Sequence, residues 1–359
     1  MDFTFTEEQQ MMVSAFRELA DDLCSATALR AAFEGRSDHA SERWQRLAEL
    51  GLPGMLAPES VGGMGLNLAD FILIAEAAGR AALPETLVEH AGIAVPLLSE
   101  FSADARVASV LQAAASGDAR VAINHTSNPF ALGALEASHV LMVGDQEIHL
   151  LTRDAVSLES HRSIDALRSL SRVTGSLGAS TCIARGAEAV AAAARAFERG
   201  ALLTAAECAG LCEALIGLGV SYAAERTQFG KKIGSYQAIK HQLANVQVKL
   251  EFARPVLYAA ATQAGALTTR SQFSVSHAKL ASTDAVDLAG RTAVQVHGAM
   301  GYSWEVDVHF YLKRALGLTG MWGDRSFHMR RAQHQLFTQH LDVGPDALFG
   351  SSALPAMSL

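Results

Sequence analysis

Positive charge is sparse in this chain. Its 29 lysines and arginines are outnumbered by 37 acidic residues, the formal net charge is −8, and no segment gathers the basic residues into a tract. A nucleic-acid-binding surface is therefore not expected. Aromatic side chains make up only 6% of the residues, against 50% hydrophobic overall. The core must then rest largely on alanine and leucine, which favour helices. The four cysteines, Cys24, Cys182, Cys208 and Cys212, are scattered. Cys208 and Cys212 fall on one expected helix but supply too few ligands for zinc, so buried thiols are expected. Long apolar runs are also missing: stretches such as 189–194 are too short to span a bilayer. The first residues, Met1 to Glu8, are acidic and show no signal-peptide pattern. These absences leave a soluble, cytoplasmic protein, mainly α, with no metal site, no nucleic acid and no membrane span expected.

The 359 residues suffice for two or three packed domains. Helical periodicity dominates both ends. Thr6 and Gln9 have the spacing of a capping box, and the helix after them is expected to bury Met11, Met12, Phe16, Leu19, Ala20 and Leu23. Trp44, Leu47 and Leu50 line a second helix, ended by Gly51 and Pro53. The glycine-rich stretch 58–65 has no strand leading into it, which argues against a dinucleotide fold. A third helix over 68–82 carries Glu76 on its polar side, and 84–115 holds one or two more, interrupted at Pro96. Beyond Arg120 short runs at 121–124, 139–144, 147–152, 156–158, 172–176 and 181–184 read as strands, with Gly144 and Asp145 turning a hairpin. Four long helical patterns follow, over 186–225, 236–267, 273–297 and 306–340, with a kink expected at Pro255. The expected order is an N-terminal helical domain (1–118), a small β domain (119–184), a C-terminal four-helix bundle (185–342) and a loose tail (343–359).

A corner separates the first two bundle helices: Arg226-x-x-Phe229-Gly230, then Gly234 and Gln237. Arg226, Lys231 and Lys232 concentrate positive charge there, beside Gln228 and Phe229. An arginine fork matches phosphate geometry, so a pyrophosphate beside a flat ring would fit. The same residues would also suit a plain charged corner on the surface. Elsewhere in the bundle half, His277, His297, His309, His328, His334 and His340 form no set with a third ligand, and solvated or core histidines are expected. Glu305 and Asp307 flank a helix start, where carboxylates favour the dipole.

The corner, with Gln237-x-Ile239-x-His241 after it, resembles the acyl-CoA dehydrogenase family. A second signature of that family is similar to Val294-Gln295-Val296-His297-Gly298-Ala299-Met300-Gly301-Tyr302, and a third to Leu47 to Leu52 with Pro58, Glu59 and the glycines 62, 63 and 65. The three lie in the family's order. The resemblance implies a helical domain, a small β domain and a four-helix bundle, FAD as cofactor and an acyl-CoA thioester as substrate. It implies that Arg226, Gln228, Phe229 and Gln237, with Gln295, Gly298 and Gly301, reach the diphosphate and adenosine half of an FAD held mainly by a neighbouring subunit. It also implies a homo- or hetero-tetramer with a homologous dehydrogenase subunit, and an electron-transfer acceptor.

The reaction needs a base for the α proton and a flavin for the β hydride. Counting on from Gly301, Tyr302 and Glu305 without a gap, the family's base position falls on Trp322. The alternative base position of some members, on the helix before the corner, falls on Gly200. Both are vacant, and the catalytic residue is unknown; Asp324, Glu305 and Glu198 are the nearest carboxylates. The loop that contacts flavin and substrate in the family has its nearest counterpart in 124–130, without a convincing match. These departures resemble the shorter partner subunits of heteromeric dehydrogenases of bacterial steroid side-chain breakdown, in which a homologous subunit brings the base. The implied activity is α,β-dehydrogenation of an acyl-CoA, with bulky polycyclic acyl groups as the substrate class. Two other readings stand beside it: a non-catalytic partner that stabilises a heteromer, and a flavin oxidase or monooxygenase on the same fold.

Overall fold

The computed structural model describes residues 4–34 and 40–344, so nearly all of the expected tail lies outside the described residues. The N-terminal part is helical. Helix α1 (Glu7–Leu23) starts with the expected capping box: the Thr6 hydroxyl accepts the Gln9 N–H at 3.2 Å, and the Gln9 amide oxygen accepts the Thr6 N–H at 2.9 Å. Phe16, Leu19 and Ala20 are buried beneath it, whereas Met11, expected inside, is 73% exposed. Helix α2 (Ala26–Phe33) was not legible in the sequence. In α3 (Ala40–Glu49) Trp44 and Leu47 are buried, but Leu50 lies past the helix end and is exposed.

Helix α4 (Leu68–Arg80) packs along the bundle, and here one expectation is overturned. Glu76 is buried rather than on a polar face, because Arg254 donates to it at 2.8 Å and the Tyr258 hydroxyl at 2.6 Å. Buried carboxylates persist where such partners replace water. The α5 helix (Leu87–Glu89) continues through a π-helical turn at His90–Ala94 into α6 (Val95–Ser99). Pro96 does not interrupt it; the proline falls just after the π-helical turn, where the helical hydrogen-bond register shifts. Helix α7 (Ala105–Ser116) closes this part.

Two small sheets follow. One has the order β1 (Val121–His125), β3 (His139–Val143), β4 (Glu147–Thr152), β7 (Cys182–Arg185); β1 and β3 run parallel and the rest antiparallel. The other has the order β2 (Ala131–Leu132), β6 (Leu170–Gly175), β5 (Val156–His161). Gly144 and Asp145 lie in the β3–β4 hairpin, as expected.

The bundle is built from α8 (Ala187–Glu225), α9 (Gln237–Ala261), α10 (Thr269–His297), α11 (Val308–Gly320) and α12 (Arg325–Gln333). Between α8 and α9 lies a two-stranded hairpin, β8 (Thr227–Gln228) and β9 (Lys231–Lys232). Helix α8 is long and apolar enough to cross a membrane by length and composition, but 72% of its most apolar window is buried against its neighbours. That burial reads as a core helix. Helix α9 continues through Pro255. The expected fourth helix over 306–340 breaks at 321–324, where Trp322 (φ +55°) and Gly323 (φ +92°) take left-handed conformations. Buried Lys279 donates to the Leu318 carbonyl at 2.9 Å and so holds the end of α11. Burial pushes its ammonium down to about 8. Cys24, Cys208 and Cys212 are buried thiols pushed up to about 12 by burial.

Candidate functional site

Two regions hold the residues that the sequence singles out. The first is the α8–α9 corner. Arg226 caps the C-terminus of α8, and the chain reverses at once through the β8–β9 hairpin. Its two-residue turn, Phe229 (φ +53°) and Gly230 (φ +80°), has both residues left-handed, as a type I′ turn demands. Glycine adopts this freely, whereas phenylalanine does so under strain. It is 91% exposed.

The three cations of the corner are not equivalent. The Lys232 ammonium donates to the Glu225 carbonyl at 2.6 Å, and the Lys231 ammonium sits 4.2 Å from the centre of the Tyr236 ring. The guanidinium of Arg226 has no ion-pair or hydrogen-bond partner among the described residues. It opens onto a groove of about 500 Å³ whose wall also includes Tyr222, Gln228, Phe229, His297 and Gly298. The end of α10 thus meets the corner. Gly298 (φ +60°) turns the chain there in a conformation open to glycine alone. The wall does not include Gln237, Gln295 or Gly301. Both glutamines are exposed, at the start of α9 and near the end of α10, while Gly301 is buried where a Cβ would meet the Val294 carbonyl oxygen.

The second region joins Trp322 and Gly200, the residues on which the resemblance places the two base positions. Trp322 is buried, and its indole lies against Gly200 of α8. A Cβ at Gly200 would overlap the ring, closer than real Cβ contacts come. The left-handed backbone that aims the indole inward is held from both sides. The Trp322 N–H donates to the Asn128 side-chain oxygen at 2.9 Å, and its carbonyl accepts from His328 Nε2 at 2.9 Å. The His125 ring stands 5.1 Å from Trp322 and that of Phe197 6.4 Å. Burial pushes His328 down to about 4, so it is neutral and donates through Nε2. The stretch 124–130, which supplies His125 and Asn128, is therefore part of the same cluster. The sequence marked these three segments separately, and the fold brings them together.

None of the nearest carboxylates reaches the centre of this cluster. Asp324 caps α12, accepting the Phe327 N–H at 2.7 Å. Glu198 is buried and bound to Arg331; burial raises its carboxyl despite that arginine. Glu305 is exposed. A cavity of about 300 Å³ adjoins the cluster at Met321 and Asn128, and its wall carries one carboxylate, Asp165, which is bound to Arg314. The region can enclose apolar groups but presents no free base. No group of three or more possible metal ligands occurs among the described residues.

Comparison with known proteins gives this geometry its context. The family described as acyl-CoA dehydrogenase, N-terminal domain, matches residues 6–118, and the acyl-CoA dehydrogenase C-terminal domain matches 189–337. Acyl-CoA dehydrogenase IpdE2 of Mycobacterium tuberculosis is 30% identical over 312 residues, covering 87% of this chain and 92% of that protein. Acyl-CoA dehydrogenase FadE34 of the same organism is 31% identical over 346 residues, covering 91% of this chain but 48% of that protein. Among solved structures, the ChsE4–ChsE5 complex from Mycobacterium tuberculosis and a Tcur3481–Tcur3483 steroid ACAD each give a TM-score of 0.82 at 22% identity, over 94% of this chain and 99% of theirs. At that identity they speak to the fold. The chain belongs to the acyl-CoA dehydrogenase family, FAD-binding oxidoreductases that act on CH–CH groups.

Proposed function

We propose that this chain is the base-free subunit of a heteromeric acyl-CoA dehydrogenase. It completes the FAD site of a homologous partner, and the partner supplies the carboxylate that removes the α proton. The observation that carries this reading is the Trp322–Gly200 contact. Both positions at which the family keeps its base are filled by one indole, which has no basic lone pair.

FAD, when bound, would supply the acceptor for the β hydride of the acyl group, whose α proton needs a base. This chain's part is binding. The unpaired Arg226 guanidinium fits a diphosphate, Gln228 can hydrogen-bond it, and Phe229 offers a ring face. Their exposure on an open groove suits a cofactor shared with a neighbour. The assembly in this reading is a cytoplasmic dimer of dimers, and the domains meet near 118/119 and 184/185. Further support comes from FadE34, of which this chain spans about half, leaving room for a second unit of similar size in one polypeptide. The substrate class we assign is a bulky, steroid-derived acyl-CoA; the likeness to the Tcur3481–Tcur3483 steroid ACAD motivates it.

The test is to express the chain alone and with a homologous dehydrogenase encoded beside it, then to follow acyl-CoA-dependent reduction of a dye. Activity in the pair alone supports the reading, and equal activity from the isolated chain defeats it.

A further inference from the structure

The cavity of about 300 Å³ beside Met321 and Asn128 shares no wall residue with the groove at the α8–α9 corner. It lies between the loop after β1, the β5–β6 connection and the last turns of α11. Phe130, Leu132, Leu170, Leu318 and Met321 give it an apolar lining. The charges on its wall are unbalanced: Arg162, Arg168 and Arg314 stand against Asp165 alone, in a chain whose net charge is −8. Arg314 is bound to Asp165, and Arg168 to Glu89 and Glu207, which are not part of the wall. Even so, Arg168 Nε and Arg314 Nη2 are buried nitrogens with no hydrogen-bond partner. Arg162 is exposed and has no ion-pair or hydrogen-bond partner among the described residues.

Glycine also shapes this wall. Gly317 lies inside α11 and Gly320 ends it, one turn apart on the same face. Glycine inside a helix costs stability relative to alanine. At Gly200 a close neighbour requires it, but at Gly317 and Gly320 a Cβ would meet no atom within 4 Å. Here the missing side chains leave space open along α11.

We propose that this cavity binds a free carboxylic acid with a compact apolar body. The body lies in the apolar space beside α11, and the carboxylate is held at the rim by Arg162. An apolar lining alone would take a neutral hydrocarbon. A guanidinium at its edge selects a molecule with both parts, because the arginine fork matches a carboxylate while the body leaves water. A thioester of the same acid lacks the charge. The wall presents no free base, so the acid is bound and not turned over. This inference goes beyond the heteromer reading and does not depend on it.

Calorimetric titration of the complete chain with 1-naphthaleneacetate and with its uncharged amide, 1-naphthaleneacetamide, tests it. The two probes share one bicyclic body, so the difference between them reads the carboxylate. The acid is expected to bind about tenfold more tightly than the amide. Arg162→Gln, a change at the surface, should remove that difference and leave amide binding as it was. Gly317→Leu, which fills the space without touching an arginine, should abolish binding of both probes. Equal affinity for acid and amide in the unaltered chain, or no binding of either, overturns the inference. Undiminished acid binding in Arg162→Gln or in Gly317→Leu overturns it too, by placing the probe elsewhere. Should Gly317→Leu fail to fold, Gly320→Leu fills the same wall and is read in the same way.

Discussion

The indole of Trp322 occupies the space that a side chain at Gly200 would need. The two residues are far apart in sequence, and each alone reads as a lost carboxylate. Together they pack large against small. Close-packed interiors leave no room to change the size of one such partner alone.

Adding bulk at Gly200 should therefore be costly in a way that depends on Trp322. Gly200→Ala is expected to lose about 1–3 kcal/mol of stability, read from denaturant unfolding. Combined with Trp322→Leu, the loss should shrink. Strict additivity of the two changes would show that the contact is not close.

Arg226→Ala removes the one corner cation without a partner among the described residues. Loss of a charge-assisted phosphate contact costs roughly 1.5–3 kcal/mol, or about ten- to hundredfold in affinity. The assembled variant should lose FAD on desalting. Changing Lys232, already bound to the Glu225 carbonyl, should do less. Full flavin retention in Arg226→Ala would remove the assignment.

How much of this was legible in the sequence depends on the range of the interactions involved. The Thr6–Gln9 capping box, the strands of the β hairpins and helices α8 to α10 follow from local periodicity, and they stand where expected. Glu76 was misplaced because its partners, Arg254 and Tyr258, belong to a distant helix. The break at 321–324 was missed because the stop is not a proline but a left-handed tryptophan, held by Asn128 and His328. The free state of Arg226, against the bound Lys231 and Lys232, needed coordinates. A sequence signal for the Trp322–Gly200 contact did exist: the resemblance places its two base positions on these two residues.

The bundle exposes Val220 on α8 and Val248 and Phe252 on α9, the last at 76%. Isolated apolar side chains on a surface are ordinary, but three on adjoining helices suit an interface. Light scattering at micromolar concentration should give a dimer of dimers, homomeric or with the partner, and Phe252→Asp should weaken it. A monodisperse, folded monomer would contradict this.

His328 titrates near 4 in the folded protein because burial disfavours its cation. Its folded pKa lies below the unfolded value, so the unfolded chain binds the extra proton first. The stability of the neutral contact is complete above about 6.5 and is lost as pH falls towards 4. His328→Gln lacks this titration. The stability gap between the two proteins should narrow by up to about 3 kcal/mol from pH 6.5 to pH 4. A comparison within one pair cancels the buried carboxyls Glu85, Glu198 and Glu207, which burial raises and which act in the opposite sense. A gap independent of pH would mean that the ring is already solvated.

The central claim is that this chain binds cofactor but lends no base, and it is tested most directly by turnover. Acyl-CoA-dependent dye reduction should be absent for the chain alone and present when it is assembled with its homologous partner. It should fall by roughly 10²–10⁴-fold when the partner's catalytic glutamate is replaced by glutamine, with FAD retained. Robust turnover by the isolated chain, undiminished in Glu198→Gln and Asp324→Asn, would contradict the account and place a base elsewhere in this subunit.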